Sequence, residues 1–242
     1  MTRRAQRPVR VVPKLVFGLL MAALVAQIGF VALQPRPMAR ASALEPPPSG
    51  AMLHLMKGID RLPSAHMLTL YLQAYDNQPG ISIPFMSLDY GRVAQWLETA
   101  LALDPVGQYP LLMASQLYAQ VPDADRSRQM LEFVFDHFAT DPDRRWSWLA
   151  HAAIMAKHRL NDLPRALRYA QAIRDHAHNA PAWARQMHIF LLEDMGEFEA
   201  ARILLGGLLA SGMVTDTHER ILLLQGLERL KHAENSAHPT KR

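Results

Sequence analysis

The chain has 242 residues, half of them hydrophobic, with 26 basic and 22 acidic side chains and no cysteine; that size buries a real core, and the missing thiols exclude disulfides, a thiolate metal site and a cysteine nucleophile. The basic balance suggests a nucleic-acid or membrane-surface binder, but Arg3, Arg4, Arg7, Arg10, Lys14, Arg36 and Arg40 all precede the first carboxylate, Glu45. The remainder holds 19 bases against 22 acids, net −3, without the basic stripe that a phosphate backbone requires, so no nucleic-acid partner is expected.

Residues 1–14 form a basic tail. Leu15 to Leu33, LVFGLLMAALVAQIGFVAL, is interrupted only by Gln27 and two glycines, and as a helix it spans about 28 Å, enough to cross a bilayer. Five bases precede it and two follow, which puts the N-terminus in the cytoplasm and the folded domain in the periplasm or another extracytoplasmic space. The rival is a cleaved signal, with Ala41-Ser42-Ala43 as the small-x-small site ahead of Leu44. The apolar run exceeds a signal core, and Ala43 lies ten residues beyond Leu33 across Pro35 and Pro37, which favours an uncleaved anchor. Either reading exports residues 45–242. The segment 34–50, QPRPMARASALEPPPSG, carries five prolines and reads as an extended stalk.

From residue 50 onward, Leu and Ala dominate, and Gly and Pro fall between apolar stretches, which specifies an all-α domain over 51–232. Helices are predicted at 50–60, 64–76, 90–103, 107–120, 124–138, 144–159, 163–176, 181–195, 197–211 and 216–232, with a flexible tail at 233–242. Pro63, Pro105, Pro110, Pro122, Pro142, Pro164 and Pro181 sit at or near predicted N-terminal ends, where a missing N–H costs nothing. The loop 76–89, DNQPGISIPFMSLD, is long for a connection, and its Ile81, Ile83, Phe85 and Met86 serve either packing or recognition. Asp123 reads as a helix cap. Gly206-Gly207, in an apolar helix without a preceding strand, reads as a close-packing site and not a phosphate cradle.

Self-similarity appears at a period of 35. Trp148 and Trp183 share that offset, Asn161-Asp162-Leu163-Pro164-Arg165-Ala166 aligns with Gly196-Glu197-Phe198-Glu199-Ala200-Ala201, and Ala170 and Ile173 align with Leu205 and Leu208. Each unit is then a helix, a tight turn and a second helix, with Ala166 or Ala201 allowing the pair to pack closely. The pattern resembles the tetratricopeptide repeat. Gly196 to Ala201 is similar to that family's turn and second-helix start, and Asp89 to Pro105 to its second helix and closing Asp-Pro. Gly107 to Pro142 fits loosely, about three residues too long. The resemblance covers residues 85–211 and implies an antiparallel helix-hairpin array, an α-solenoid behind one transmembrane helix, working through protein–protein interaction.

Residues that could carry chemistry are sparse. His151 and His158 lie two turns apart, about 10 Å, and His176 and His178 are separated by one residue; neither spacing has the i, i+4 geometry of a zinc helix. No cofactor or metal is implied. Arg144-Arg145-Trp146-Ser147-Trp148 is either a first helical turn with a core tryptophan or a binding anchor. In the repeat register, first-helix positions line a groove at His151, Met155, His158, Arg159, Gln186, Phe190 and Glu193, with Trp148 beside them. Such a mixed surface suits an extended or helical peptide. The expected function is a membrane-anchored adaptor or assembly factor, not an enzyme, that binds a protein partner in the cell envelope. The alternatives are a helical enzyme or accessory subunit acting on envelope polysaccharide, marked by a deep pocket with converging carboxylates, and a spacer or oligomerisation module, marked by a large apolar patch.

Overall fold

A computed structural model describes residues 13–33, 42–78, 80–212, 214 and 216–237. Most of the basic tail, the linker residues 34–41 and the last five residues lie outside them, and with them every arginine invoked for topology.

Helix α1 (Lys14–Leu33) belongs to a different compact unit from the other helices, is 20 residues long, and has no buried side chain. It spans about 30 Å and is long and apolar enough to cross a membrane.

The second unit is helical, apart from the two-residue strands β1 (Asn77–Gln78) and β2 (Ile81–Ser82) at the 76–89 loop. Its helices are α2 (Gly50–Ile59), α3 (Arg61–Ala74), α4 (Tyr90–Leu103), α5 (Tyr109–Leu112), α6 (Ala124–Phe138), α7 (Pro142–His158), α8 (Leu163–His176), α9 (Ala182–Asp194), α10 (Phe198–Ala210) and α11 (Thr217–Ala237). Local signals account for their ends. Asp60, Asp89, Asp123 and Asp162 each accept backbone N–H bonds from the first turn of α3, α4, α6 and α8, each worth about 1 kcal/mol. Pro110, Pro142 and Pro164 occupy first-turn positions, and Pro181 caps α9. Beyond α5 the chain continues through a π turn (Met113–Leu117) and a 3-10 turn (Tyr118–Gln120). There the Ser115 hydroxyl donates to the Leu111 carbonyl at 2.9 Å, a side-chain bond that competes with the helical ladder.

Sequential helices pack on one another, α7 with α8 and α8 with α9 most extensively. The turns after α7 and α9 each place one residue in the left-handed region, Asn161 (φ 51°) and Gly196 (φ 79°), residue types that accept it with least strain. These two positions were aligned in the sequence, as were Ala166 and Ala201, both fully buried.

Buried apolar side chains fall into two clusters. The larger runs from Leu44 to Leu191 and takes in every helix from α3 to α9; the smaller comprises Ile189, Ala201, Leu205, Leu223 and Leu230, joining α9 to α10 and α11. Within the large core, Arg145 is 1% exposed. Its guanidinium donates to the carbonyls of His137, at the end of α6, and Pro105, in the turn after α4, both at 2.5 Å. It ties the end of α6 to the turn after α4.

Three expectations require correction. The second half of the proline-rich stalk is a strap bound to the domain: Leu44 is buried, the Tyr75 hydroxyl donates to the Ser42 carbonyl, and the Trp96 indole N–H donates to the Glu45 carbonyl at 2.9 Å. An extended chain leaves its carbonyls free, and a buried phenol and indole need acceptors. Gly206 and Gly207 are not a close-packing site, since a Cβ at either would meet nothing within 4 Å; the glycine at the contact of α10 with α11 is Gly226, where a Cβ would meet Leu205 at 3.4 Å. Finally, α11 extends five residues past the expected end, to Ala237.

Candidate functional site

Of the expected groove residues, Met155 and Gln186 are buried, at 9% and 8% exposure, so neither stands on an exposed helix face. On α7 the outward stripe passes instead through Ile154, which is 45% exposed, one residue before Met155. His151 is half-buried, with a buried Nε2 that has no hydrogen-bond partner. Burial holds its pKa below the usual histidine range, although the Ser115 backbone in the π turn favours the charged form. His158 is exposed and Glu193 half-exposed. The exposed Arg159 is tied to Gln120, donating to its side-chain oxygen at 2.9 Å and its carbonyl at 2.6 Å. Trp148 is half-buried, its indole N–H on the Gln108 side chain at 3.0 Å. Phe190 is 43% exposed.

Two ties align α7 with α9. Trp146 meets Trp183 edge-on at 5.6 Å, and eleven residues further along each helix Lys157 pairs with Asp194 at 2.5 Å. Equal intervals from N-terminal to C-terminal contact make the helices parallel neighbours. Ile154 and His158 on α7, and Trp183 and Phe190 on α9, are exposed. The Arg144–Trp148 segment is therefore split: Arg145 belongs to the core, and Trp146 and Trp148 lie half-buried at its edge. Similarly, the 76–89 loop packs, with Ile83 buried and Phe85 edge-on to Tyr118 at 5.7 Å, while Met86 stays exposed.

An open cleft of about 570 Å³ lies where the two cores meet, among α8, α9, α10 and the start of α11. Its apolar surface comes from Ile189, Ile203, Leu204 and Leu208, and Gly207 also lines it, with open space where a side chain would stand. Ile203 and Leu204 are 60% and 37% exposed, large apolar groups without a cover. Gln186 closes one wall, donating to Glu219 of α11 at 2.8 Å. On the rim stand Arg174, already paired with Asp175 at 2.7 Å, and the exposed Arg185, whose guanidinium has no partner among the described residues. His188 is buried, its Nδ1 within 2.8 Å of the Arg185 carbonyl. Burial, and secondly Arg174, depress its pKa, so it is neutral at pH 7. Of the cleft, sequence reasoning found only Gln186, because the opening depends on how far α10 stands from α8, which no local pattern encodes.

In the cleft the Glu219 carboxylate accepts from Gln186, and His188 is buried. Among the described residues no three or more His, Cys, Asp or Glu side chains converge to hold a metal ion. An apolar trough with a free guanidinium on its rim suits binding of an apolar side chain next to an anionic group. No protein family, curated protein or solved structure matches the chain.

Proposed function

We propose that this chain is a membrane-anchored adaptor whose helical domain, outside the cytoplasm, binds a protein partner. In this reading α1 stays in the bilayer and α3 to α10 form a tetratricopeptide-like array of helix hairpins. Supporting the array are the left-handed turns at Asn161 and Gly196 and the buried Ala166 and Ala201, each pair 35 residues apart. The observation that carries a binding role is the cleft: Ile203 and Leu204 exposed and lining it with Gly207, and the unpaired Arg185 on the rim. It favours an amphipathic segment with an apolar residue for the trough and a carboxylate for Arg185. The exposed Ile154 on α7, and Phe190 and Trp183 on α9, are apolar side chains that a longer segment could also meet.

Two experiments test this. Alkaline phosphatase fused after residue 50 is expected to be active, and a reporter that works only in the cytoplasm silent; the opposite result overturns the topology. A photo-crosslinking residue at Leu204 in the full chain is expected to give one discrete protein adduct in membranes, lost when Arg185→Glu is added. The same adducts from Glu199, on the exposed side of α10, would make the contact nonspecific and remove the cleft from the proposal.

A further inference from the structure

Helix α3 is apolar on both sides. Ala65, Leu68 and Leu72 are buried in the large core, while Pro63, Met67, Leu70 and Ala74 form an exposed stripe at i, i+4, i+7 and i+11. Met67 and Leu70 are 68% and 59% exposed. Helix α2 does the same on a smaller scale, packing Leu53 and Met56 inward and leaving Met52 and Leu55 outside. A helix that is apolar all round is covered by protein or by lipid, and this pair is half uncovered.

The surrounding charge narrows what covers it. Between Glu45 and Asp76 the only carboxylate is Asp60, and it is occupied, accepting the Leu62 N–H at the start of α3. Lys57 and Arg61 are the other full charges in the segment. Exposed Met, Leu and Tyr side chains, few carboxylates and flanking cations are the composition of a helix that lies in a bilayer interface. A second exposed apolar region, on α10 and α11, is interspersed with Glu199, Asp216, Glu219 and Glu228 and lacks that composition.

Chain connectivity supplies the third argument. Nine residue steps separate Leu33 from Ser42, a reach of about 30 Å when fully extended. The strap that starts at Ser42 is fastened to Tyr75 and Trp96 and feeds directly into α2 at Gly50. Given the anchor reading of α1, on which this inference rests, the linker keeps the start of the strap, and with it the N-terminal end of the domain, within that reach of the lipid.

We infer that the exposed face of α2 and α3 docks on the surface of the bilayer that α1 enters, holding the domain against the membrane at its N-terminal end. The absence of cysteine makes the test direct. Single cysteines are introduced into the full chain at Val25, Met67, Leu70 and Leu222, labelled with an environment-sensitive fluorophore, and reconstituted into vesicles of zwitterionic and anionic lipid. Lipids with a quencher near the headgroup and in the chains then report contact. The expected result is loss of fluorescence at Val25, Met67 and Leu70, with Leu222, equally apolar but on α11, unaffected. Quenching at Val25 without Met67 and Leu70 overturns the docking and leaves the anchor standing. No quenching at Val25 overturns both. Equal quenching at Leu222 means general adsorption and overturns the assigned face. Disulfide-linked dimers of the unlabelled Met67→Cys protein under mild oxidation, with no lipid quenching, assign the face to a second copy instead.

Discussion

The helices on either side of Ile189 are held by different means. From α3 to α9 the core is continuous and includes Tyr118, Tyr169 and Arg145 among its fully buried side chains. Polar ties stitch it across elements: Glu132 on α6 accepts from Arg165, Arg168 and Tyr169 of α8. Beyond Leu191 the buried apolar set among the described residues shrinks to Ala201, Leu205, Leu223 and Leu230, α10 carries two adjacent glycines, and Ile203, Leu204, Ile221 and Leu222 are exposed. The cleft lies at that change. A rigid body with a sparsely packed end is a common way to combine a fixed scaffold with a surface that adapts on binding, because low local contact density lowers the cost of local opening.

The largest effect should come from breaking the stronger half. Arg145→Ala removes two charge-assisted hydrogen bonds, each worth about 1.5–3 kcal/mol, and empties a fully buried site, so the expected loss is about 3 kcal/mol or more in thermal unfolding of the detergent-solubilised chain. Arg145→Lys should recover only part, since an ammonium lacks the planar fork that reaches His137 and Pro105 together. A wild-type melting curve for Arg145→Ala would remove the arginine from the core's account.

Overpacking sharpens the contrast. Ala166→Leu and Ala201→Leu both insert bulk at fully buried sites, at about 1–3 kcal/mol each. The cost should be higher at Ala166, where the large core cannot yield, than at Ala201, beside the open cleft. The reverse order would show the C-terminal core to be the stiffer one.

A smaller effect of opposite sign is expected in α10. Gly207→Ala adds a methyl to open space in a helix interior and should stabilise by about 0.5–1 kcal/mol through reduced backbone freedom. It should also weaken capture at the Leu204 crosslinking position by partly filling the cleft. Destabilisation would show that the space is occupied.

The smallest effect is on pH dependence. His151 and His188 both have pKa values depressed by burial, so below about pH 6.5 the unfolded chain binds protons that the folded chain refuses. Their contribution is intact above the unfolded value and declines as pH falls toward the depressed folded one. Melting temperature should therefore drop between pH 7 and 5.5, and His188→Asn should flatten part of that slope. An unchanged slope would mean that His188 is solvated in the native state.

The sequence by itself determined where α4, α6, α7 and α8 begin, because acidic caps and first-turn prolines act within a few positions of chain. Asp123 and Pro142 could be read without knowing what they pack against, and so could the length and apolarity of α1. The 35-residue register also anticipated the burial of Ala166 and Ala201. What only the tertiary structure decided was rotation and spacing. Whether Ile154 or Met155 faces out is a matter of turning α7 by one residue, and two apolar neighbours give no periodic signal to choose between them. Whether Gly207 lies in a tight contact or an open trough depends on the distance between α8 and α10, set by side chains scattered over the array. The strap at Ser42–Ser49 was hidden for the same reason: its acceptors serve Tyr75 and Trp96, which are 33 and 51 residues away, and a hydrogen bond over that separation leaves no mark in the local sequence.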